Sequence, residues 1–250
     1  MLPTIGIFET YPILLSLGVV MAFVYLEIYF RKKGENRRLL IDIEINGLIA
    51  VIVGVFSAIL WQNLYDYLDN PANYAWSWSM TFYGGLIGGV FSFLVGYFAF
   101  LRKKYGPFLP RLLIIAPASI AVAHGFGRIG CFCAGCCYGE ESNSPFALQF
   151  PNLPNKVLPT NLWEALFLIA LSLVLLTLAL KKNTPMTLPV YLISYGTWRF
   201  IIEFFRGDYR GSFVPGITPS QFWSILLVLL GIAFIIFFQL KKRKSPAKYA

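Results

Sequence analysis

Charge is scarce in this sequence. Only 13% of its 250 residues are Asp, Glu, Lys or Arg while 57% are hydrophobic, a balance outside the range of soluble globular domains that predicts a chain embedded in lipid. Acidic side chains are fewer than basic ones, 12 against 21, and histidine occurs once. Cysteine occurs four times, always between positions 131 and 137. Internal repeats, low-complexity tracts and linkers long enough to separate domains are all missing, and no soluble cofactor-binding domain is appended. A single polytopic membrane domain over 1–250, with no cofactor, is therefore expected.

What is there is apolar and evenly spaced. Seven stretches, at 10–30, 45–67, 79–101, 111–130, 162–180, 186–204 and 219–240, reach or approach the roughly 20 helical residues that cross a hydrocarbon core. The fold class expected is an all-α integral membrane protein of seven transmembrane helices. Glu9, Tyr11 and Glu27 lie in or beside the first stretch, and no small-residue cleavage site precedes the basic run, so it reads as a retained span rather than a signal peptide.

A net charge of +9 suits nucleic acid only if the basic residues share a face, and here they do not. Arg31, Lys32, Lys33, Arg37 and Arg38 follow the first stretch; Arg102, Lys103, Lys104 and Arg111 lie between the third and fourth. Lys181 and Lys182 separate the fifth and sixth, and Lys241, Lys242, Arg243, Lys244 and Lys248 follow the seventh. These are alternate connections, and the positive-inside rule makes them cytoplasmic, with the N-terminus outside and the C-terminus inside. The opposite loops agree: "YDYLDNPANYAWSW" is acidic and aromatic, and "GEESNSPFALQFPNLPNKVLPT" is turn-rich and nearly neutral. Nucleic acid is not an expected partner.

Five basic residues remain, Arg128, Lys156, Arg199, Arg206 and Arg210. At about 1.5 Å per helical residue, Arg128 lies roughly 25 Å beyond Arg111, and His124 one turn deeper. Counted from Met186, Arg199 and Glu203 lie about 20 and 26 Å along the sixth stretch. Tyr83, Gly84, Gly85 and Glu164 fall near the start of descending stretches, so several spans bring polar groups to one level in the outer half of the membrane. Titratable side chains inside spans are costly and mark a site by default. His124 with Arg128, and Arg199 with Glu203, are four apart and share a helix face.

Each of these residues has a plainer reading. Arg199 and Glu203 either neutralise one another and fasten two helices, or serve a head group; Arg206 and Arg210, close behind, leave a positive surplus suited to bidentate phosphate binding. His124 is either a packed residue or a proton acceptor. Tyr83 is either an interfacial belt tyrosine or a site residue, and "GGLIGG" reads as a helix-packing surface.

The cysteines, C-x-C-x-x-C-C, leave little chain to wrap one ion in the separated pairs that zinc sites usually use, so no metal site is expected. A disulfide in an oxidising compartment, small buried residues beside a glycine-rich turn, and a nucleophile activated by Arg128 are the other readings.

Against this background the sequence resembles a family along nearly its whole length. "GRIGCFCAGCCYG" is similar to the signature Gly-Arg-x-Gly-Asn-Phe-x-Asn-x-Glu-x-x-Gly of the prolipoprotein diacylglyceryl transferases, with Arg128, Gly130, Phe132 and Gly139 in register. "PTNLWEA" resembles that family's Pro-Ser-Gln-Leu-Tyr-Glu-Ala, and "YGTWRFIIEFFRGD" its Tyr-Gly-x-x-Arg-x-x-x-Glu-x-x-Arg stretch; "SQFWS" also fits. The departures are specific. The family's His-Gly-Gly stands here as Tyr83-Gly84-Gly85; its signature asparagines are Cys131 and Ala134, its glutamate is Cys136, and Trp61 and Gln62 occupy the region of an expected arginine.

The resemblance implies a phospholipid-dependent transferase in the bacterial cytoplasmic membrane. Diacylglycerol would pass from phosphatidylglycerol to the lipobox cysteine of a prolipoprotein, releasing glycerol phosphate. Anionic phospholipid, the prolipoprotein signal peptide and the membrane are then the partners. Catalytic roles fall on His124, Tyr83, Arg128, Arg199 and Glu203. Substrate binding falls on Arg128, Gly139, Glu164, Arg199, Arg206, Gly84 and Gly85. With the family's histidine replaced by Tyr83, either His124 or Tyr83 takes the base role. Two other readings stand beside this one: a related transferase with an alcohol, sugar or lipid acceptor, and a non-catalytic phospholipid-binding or transport protein.

Overall fold

The computed structural model of the chain describes residues 4–5, 8–151, 153–207 and 216–244. Two minimal hairpin strands, β1 (Thr4–Ile5) and β2 (Phe8–Glu9), precede α1 (Thr10–Lys32) and α2 (Arg37–Asp69). Next come α3 (Phe82–Gly96), a π-helical turn at Tyr97–Leu101, the short α4 (Arg102–Tyr105) and α5 (Leu109–Ala134). A second hairpin, β3 (Leu148–Gln149) with β4 (Lys156–Val157), leads into α6 (Thr160–Thr177), which runs on as a π-helical turn to Lys182. Then follow α7 (Thr187–Ile202), a 3-10 turn at Glu203–Phe205, and α8 (Pro219–Lys244).

Local chemistry sets several of these limits. Asn36 caps α2, its Oδ1 accepting from Arg38 N at 2.8 Å, which satisfies one of the donors a helix start leaves unpaired. Asn183 closes the extension of α6 in the left-handed conformation at φ 48°, which asparagine tolerates better than most residues.

Six helical segments among the described residues are long and apolar enough to cross a membrane: Thr10–Lys32, Arg37–Leu68, Gly84–Tyr105, Leu109–Ala134, Thr160–Lys182 and Pro219–Lys241. The expected stretch at 186–204 is helical as α7 but only 16 residues long, about 24 Å. Burial is inverted relative to a water-soluble protein. Phe91, Phe100 and Leu166 are 69, 73 and 63% exposed, while Asn161, Glu164 and Ser172 are almost wholly buried. That distribution suits lipid outside and polar groups satisfied within.

The chain forms two compact units, Phe30–Leu109 and Met1–Tyr29 with Pro110–Ala250. In the first, α2 packs on α3 through small residues: a Cβ placed on Gly54 would lie 3.0 Å from Gly85 O, so the backbones approach as closely as small-residue helix pairs do. Ser57 Oγ donates to Gly84 O at 2.8 Å and Asn46 Nδ2 to Phe93 O at 3.1 Å. Asn63 clamps the connection to α3, donating to Ser77 O and accepting from Ser77 N and Tyr74 Oη. The "GGLIGG" surface thus packs helices, as its composition predicts.

In the second unit α1, α5, α6, α7 and α8 bury the polar residues. Ser119 Oγ of α5 donates to Ala22 O of α1 at 3.0 Å, and Tyr29 Oη to Asn183 Oδ1 at 2.7 Å. Gly196 of α7 lies against Ser224 O of α8, where a Cβ would come within 2.9 Å. That close approach brings the polar start of α8 against Arg199, one turn further along α7.

Candidate active site

Glu164 stands in the second turn of α6 and is 1% exposed. A carboxylate removed from solvent needs partners, and two neighbouring helices supply them. Arg128 of α5 approaches with Nε 3.1 Å from Oε2, and Tyr195 of α7 donates its hydroxyl to Oε1 at 3.1 Å. His124, one turn before Arg128, packs edge-on to the Tyr195 ring at a centroid distance of 5.2 Å. The charges of Arg128 and Arg199 both reach Glu164.

Arg199 and Glu203 form an i,i+4 ion pair of 2.7 Å. Both are buried, at 6 and 7% exposure. Arg199 Nη2 also donates to Ser220 Oγ of α8 at 2.8 Å, and Glu203 Oε1 accepts from Thr218 Oγ1 at 2.9 Å. The plainer reading has its geometry here: the residues neutralise one another, and each also ties α7 to the entry of α8. Arg199 Nη1 remains buried without a hydrogen-bond partner among the described residues, which leaves one donor for an anion.

The segment after α5 closes over the same region. Gly139 donates its N–H to Leu158 O at 2.7 Å and bridges antiparallel to Arg206, while Glu140 N donates to Phe205 O at 3.0 Å. The resemblance assigns Gly139 to substrate; here it is a buried crossing point of backbones that draws residue 206 to the end of α5. Arg206 Nη1 donates to Cys137 O at 3.3 Å. Two guanidinium groups, those of Arg128 and Arg199, accordingly pair with two carboxylates, Glu164 and Glu203, and that of Arg206 lies at Cys137. Planar guanidinium suits phosphate oxygens.

The cysteines behave otherwise than their spacing suggests. The thiols of Cys131, Cys136 and Cys137 lie within 4.8 Å of one another, with Cys133 outside the group. All four are free thiols. The Cys137 thiol is held well below the ordinary thiol range, chiefly because the Cys131 and Cys136 thiols hydrogen-bond to it; Arg128 and Arg206 add to this and partial burial opposes it.

The structure thus gathers His124, Arg128, Glu164, Arg199, Glu203 and Arg206 in one unit. Gly84 and Gly85 lie in the other unit and are occupied in packing on α2, beside Trp61 and Ala58. Tyr83 lies in the first turn of α3, but its side chain lies outside the described residues, as does Arg210. Tyr195, Thr218 and Ser220 were not singled out from sequence. The signal for Tyr195 is its position four residues before Arg199, on the same helix face.

A family model described as prolipoprotein diacylglyceryl transferase matches residues 2–237. Among curated proteins, the phosphatidylglycerol–prolipoprotein diacylglyceryl transferase of Clostridium tetani is 33% identical over 234 residues, covering 89% of this chain and 90% of its own length. Transferase 2 of Clostridium perfringens is 31% identical over 250 residues, covering 96 and 94%. The Francisella tularensis enzyme of the same name is 32% identical over 212 residues, covering 81 and 76%. With matched residues running through every helix that builds the Glu164 cluster, the chain belongs to the prolipoprotein diacylglyceryl transferase family.

Proposed function

We propose that this chain transfers diacylglycerol from phosphatidylglycerol to the lipobox cysteine thiol of prolipoproteins at the outer face of the bacterial cytoplasmic membrane. One observation supports the reading beyond family membership: inside a lipid-facing helical unit, Arg128 is fixed by the buried carboxylate of Glu164, and buried Arg199 Nη1 has no hydrogen-bond partner among the described residues. In the reaction the thiol sulfur bonds to the glyceryl carbon and the bond from that carbon to the phosphate oxygen breaks. The thiol proton passes to a base and glycerol phosphate departs.

Negative charge grows on the leaving phosphate. Arg128 meets it in this mechanism, with Glu164 fixing the guanidinium plane and Tyr195 fixing Glu164. Such fixed charge stabilises a transition state without reorganising as the reaction proceeds. The free donor of Arg199 adds a second contact from α7. His124, a turn from Arg128, is the base we assign. In this arrangement α7 crosses with the six longer helices to give seven spans, N-terminus outside, because the basic residues collect on alternate connections.

One observation favours a second acceptor class. Three polar signature positions of the family are Cys131, Ala134 and Cys136 here, so an alcohol, sugar or lipid acceptor is the competing reading. Phosphatidylglycerol labelled in its acyl chains, supplied to the purified protein with and without a lipobox peptide, separates the two. Label in the peptide is the expected result. Label in another acceptor supports the second reading, and binding without turnover overturns both.

A further inference from the structure

The thiol cluster plays no role in the transfer chemistry above, yet its geometry is built by the backbone. Gly135, at φ 74°, ends α5 in the left-handed conformation. Gly135 N then donates to Phe132 O at 3.2 Å, and Cys136 N to Cys131 O at 3.0 Å. These paired bonds are the Schellman motif, which brings the residue after the cap onto the residue five positions before it. In most helices that contact is apolar; here it joins two thiols. Cys137 follows at φ 59°, a conformation that costs a β-carbon residue about 1–2 kcal/mol, and its sulfur is thereby brought to the other two.

The loop is also tied from outside. Cys136 O accepts from Asn161 Nδ2 at 2.7 Å, and Cys137 O accepts from Thr160 Oγ1 and Arg206 Nη1, both at 3.3 Å. Asn161 and Thr160 are almost wholly buried in the first turn of α6. The position of the three sulfurs is therefore set by residues from three segments, and the short spacing along the chain does not prevent a shared site.

We propose that Cys131, Cys136 and Cys137 form a three-thiolate site for one soft d10 metal ion, such as zinc or copper(I). Tetrahedral Zn–S bonds of about 2.3 Å put neighbouring sulfurs about 3.8 Å apart, so three thiols that already lie within 4.8 Å of one another need contract by no more than about an ångström. A disulfide needs one pair at about 2.05 Å and leaves the third thiol unused. Thiolate ligands select soft ions over magnesium or calcium. Each thiol releases its proton to solvent as the ion binds, and the guanidinium of Arg206 lies beside the resulting negative charge. Three protein ligands leave a fourth position for water or another soft donor, the pattern of open rather than closed zinc sites.

The test uses the full chain, purified in detergent and kept reduced, titrated with cadmium as a spectroscopic probe and with zinc in competition. The expected result is a sulfur-to-cadmium charge-transfer band saturating at one ion per chain. It should weaken at least tenfold in affinity in Cys131→Ser, Cys136→Ser and Cys137→Ser, and persist in Cys133→Ser. A missing band in the reduced wild type, or an unchanged one in any of the first three variants, overturns the site. Alkylation of the unmutated protein followed by peptide mass mapping is independent of whether variants fold. Cadmium should protect residues 131, 136 and 137 but not 133, and equal protection of all four overturns the proposal. A disulfide within the trio in protein taken directly from membranes under non-reducing conditions overturns it in favour of a redox pair.

Discussion

The hydroxyl of Tyr195 donates to Glu164 Oε1 across the α6–α7 interface at 3.1 Å, on the opposite side of the carboxylate from Arg128. Glu164 is thus a shared support: one oxygen orients a guanidinium and the other is oriented by a phenol. Removing the outer member should cost less than removing the centre. Tyr195→Phe leaves a buried acceptor one donor short, about 1–3 kcal/mol, and we expect a transfer rate reduced roughly tenfold with the fold retained. Glu164→Gln strands the Arg128 charge, a loss of about 3–5 kcal/mol. Initial rates and thermal inactivation in detergent would rank them, and the reverse order would contradict Glu164 as the centre.

Arg128 should not be replaceable by lysine. Its Nε is held 3.1 Å from Glu164 Oε2, an arrangement in which a fixed planar group presents its remaining donors elsewhere, whereas an ammonium is a point charge. Arg128→Lys and Arg128→Ala should both lower kcat, by about 10²–10³-fold if one charge-stabilising donor is lost. Activity of the lysine variant near wild type would show that charge alone is needed there.

His124 is the base in the proposed mechanism, and Tyr83 stands where the family carries histidine. His124→Gln should lower the transfer rate by about 10²-fold or more and remove the acid limb of the pH–rate profile, while Tyr83→Phe should leave that limb in place. Unchanged rates in both variants would remove the two residues from the mechanism.

The polar residues of the cluster were legible in one dimension, because helical rise converts residue number into distance along a span. That arithmetic drew out Arg128, Arg199, Glu203 and Glu164 as polar groups out of place in apolar spans. It did not reveal which faces meet. Tyr195 escaped notice because a tyrosine in a span has an ordinary packing role, and only the α6–α7 contact turns its hydroxyl onto Glu164. The convergence of three cysteine thiols was not legible for a different reason. Spacing measures contour length, whereas a left-handed Gly135 and a left-handed Cys137 fold seven residues back on themselves. The sixth stretch is the least secure as a span: α7 is 16 residues long, and Arg199 near its end and Glu203 just beyond it interrupt the apolar run.

The Arg199–Glu203 pair offers the sharpest separation of stability from chemistry. Both groups are buried and bonded to each other at 2.7 Å, so either single truncation leaves a charge without its partner, whereas replacing both with apolar side chains leaves none. Buried pairs treated this way lose about 3–5 kcal/mol singly and often little or nothing jointly. Arg199→Met and Glu203→Leu should each lower Tm, and the double variant should recover most of that loss, a coupling read directly by the double-mutant cycle. If Arg199 also binds the departing phosphate, the recovered protein should be stable but slow, because its methionine carries no donor to replace Nη1. Recovery of both Tm and transfer rate would make the pair a fastening between α7 and α8 and nothing more, leaving Arg128 and Arg206 to bind the phosphate.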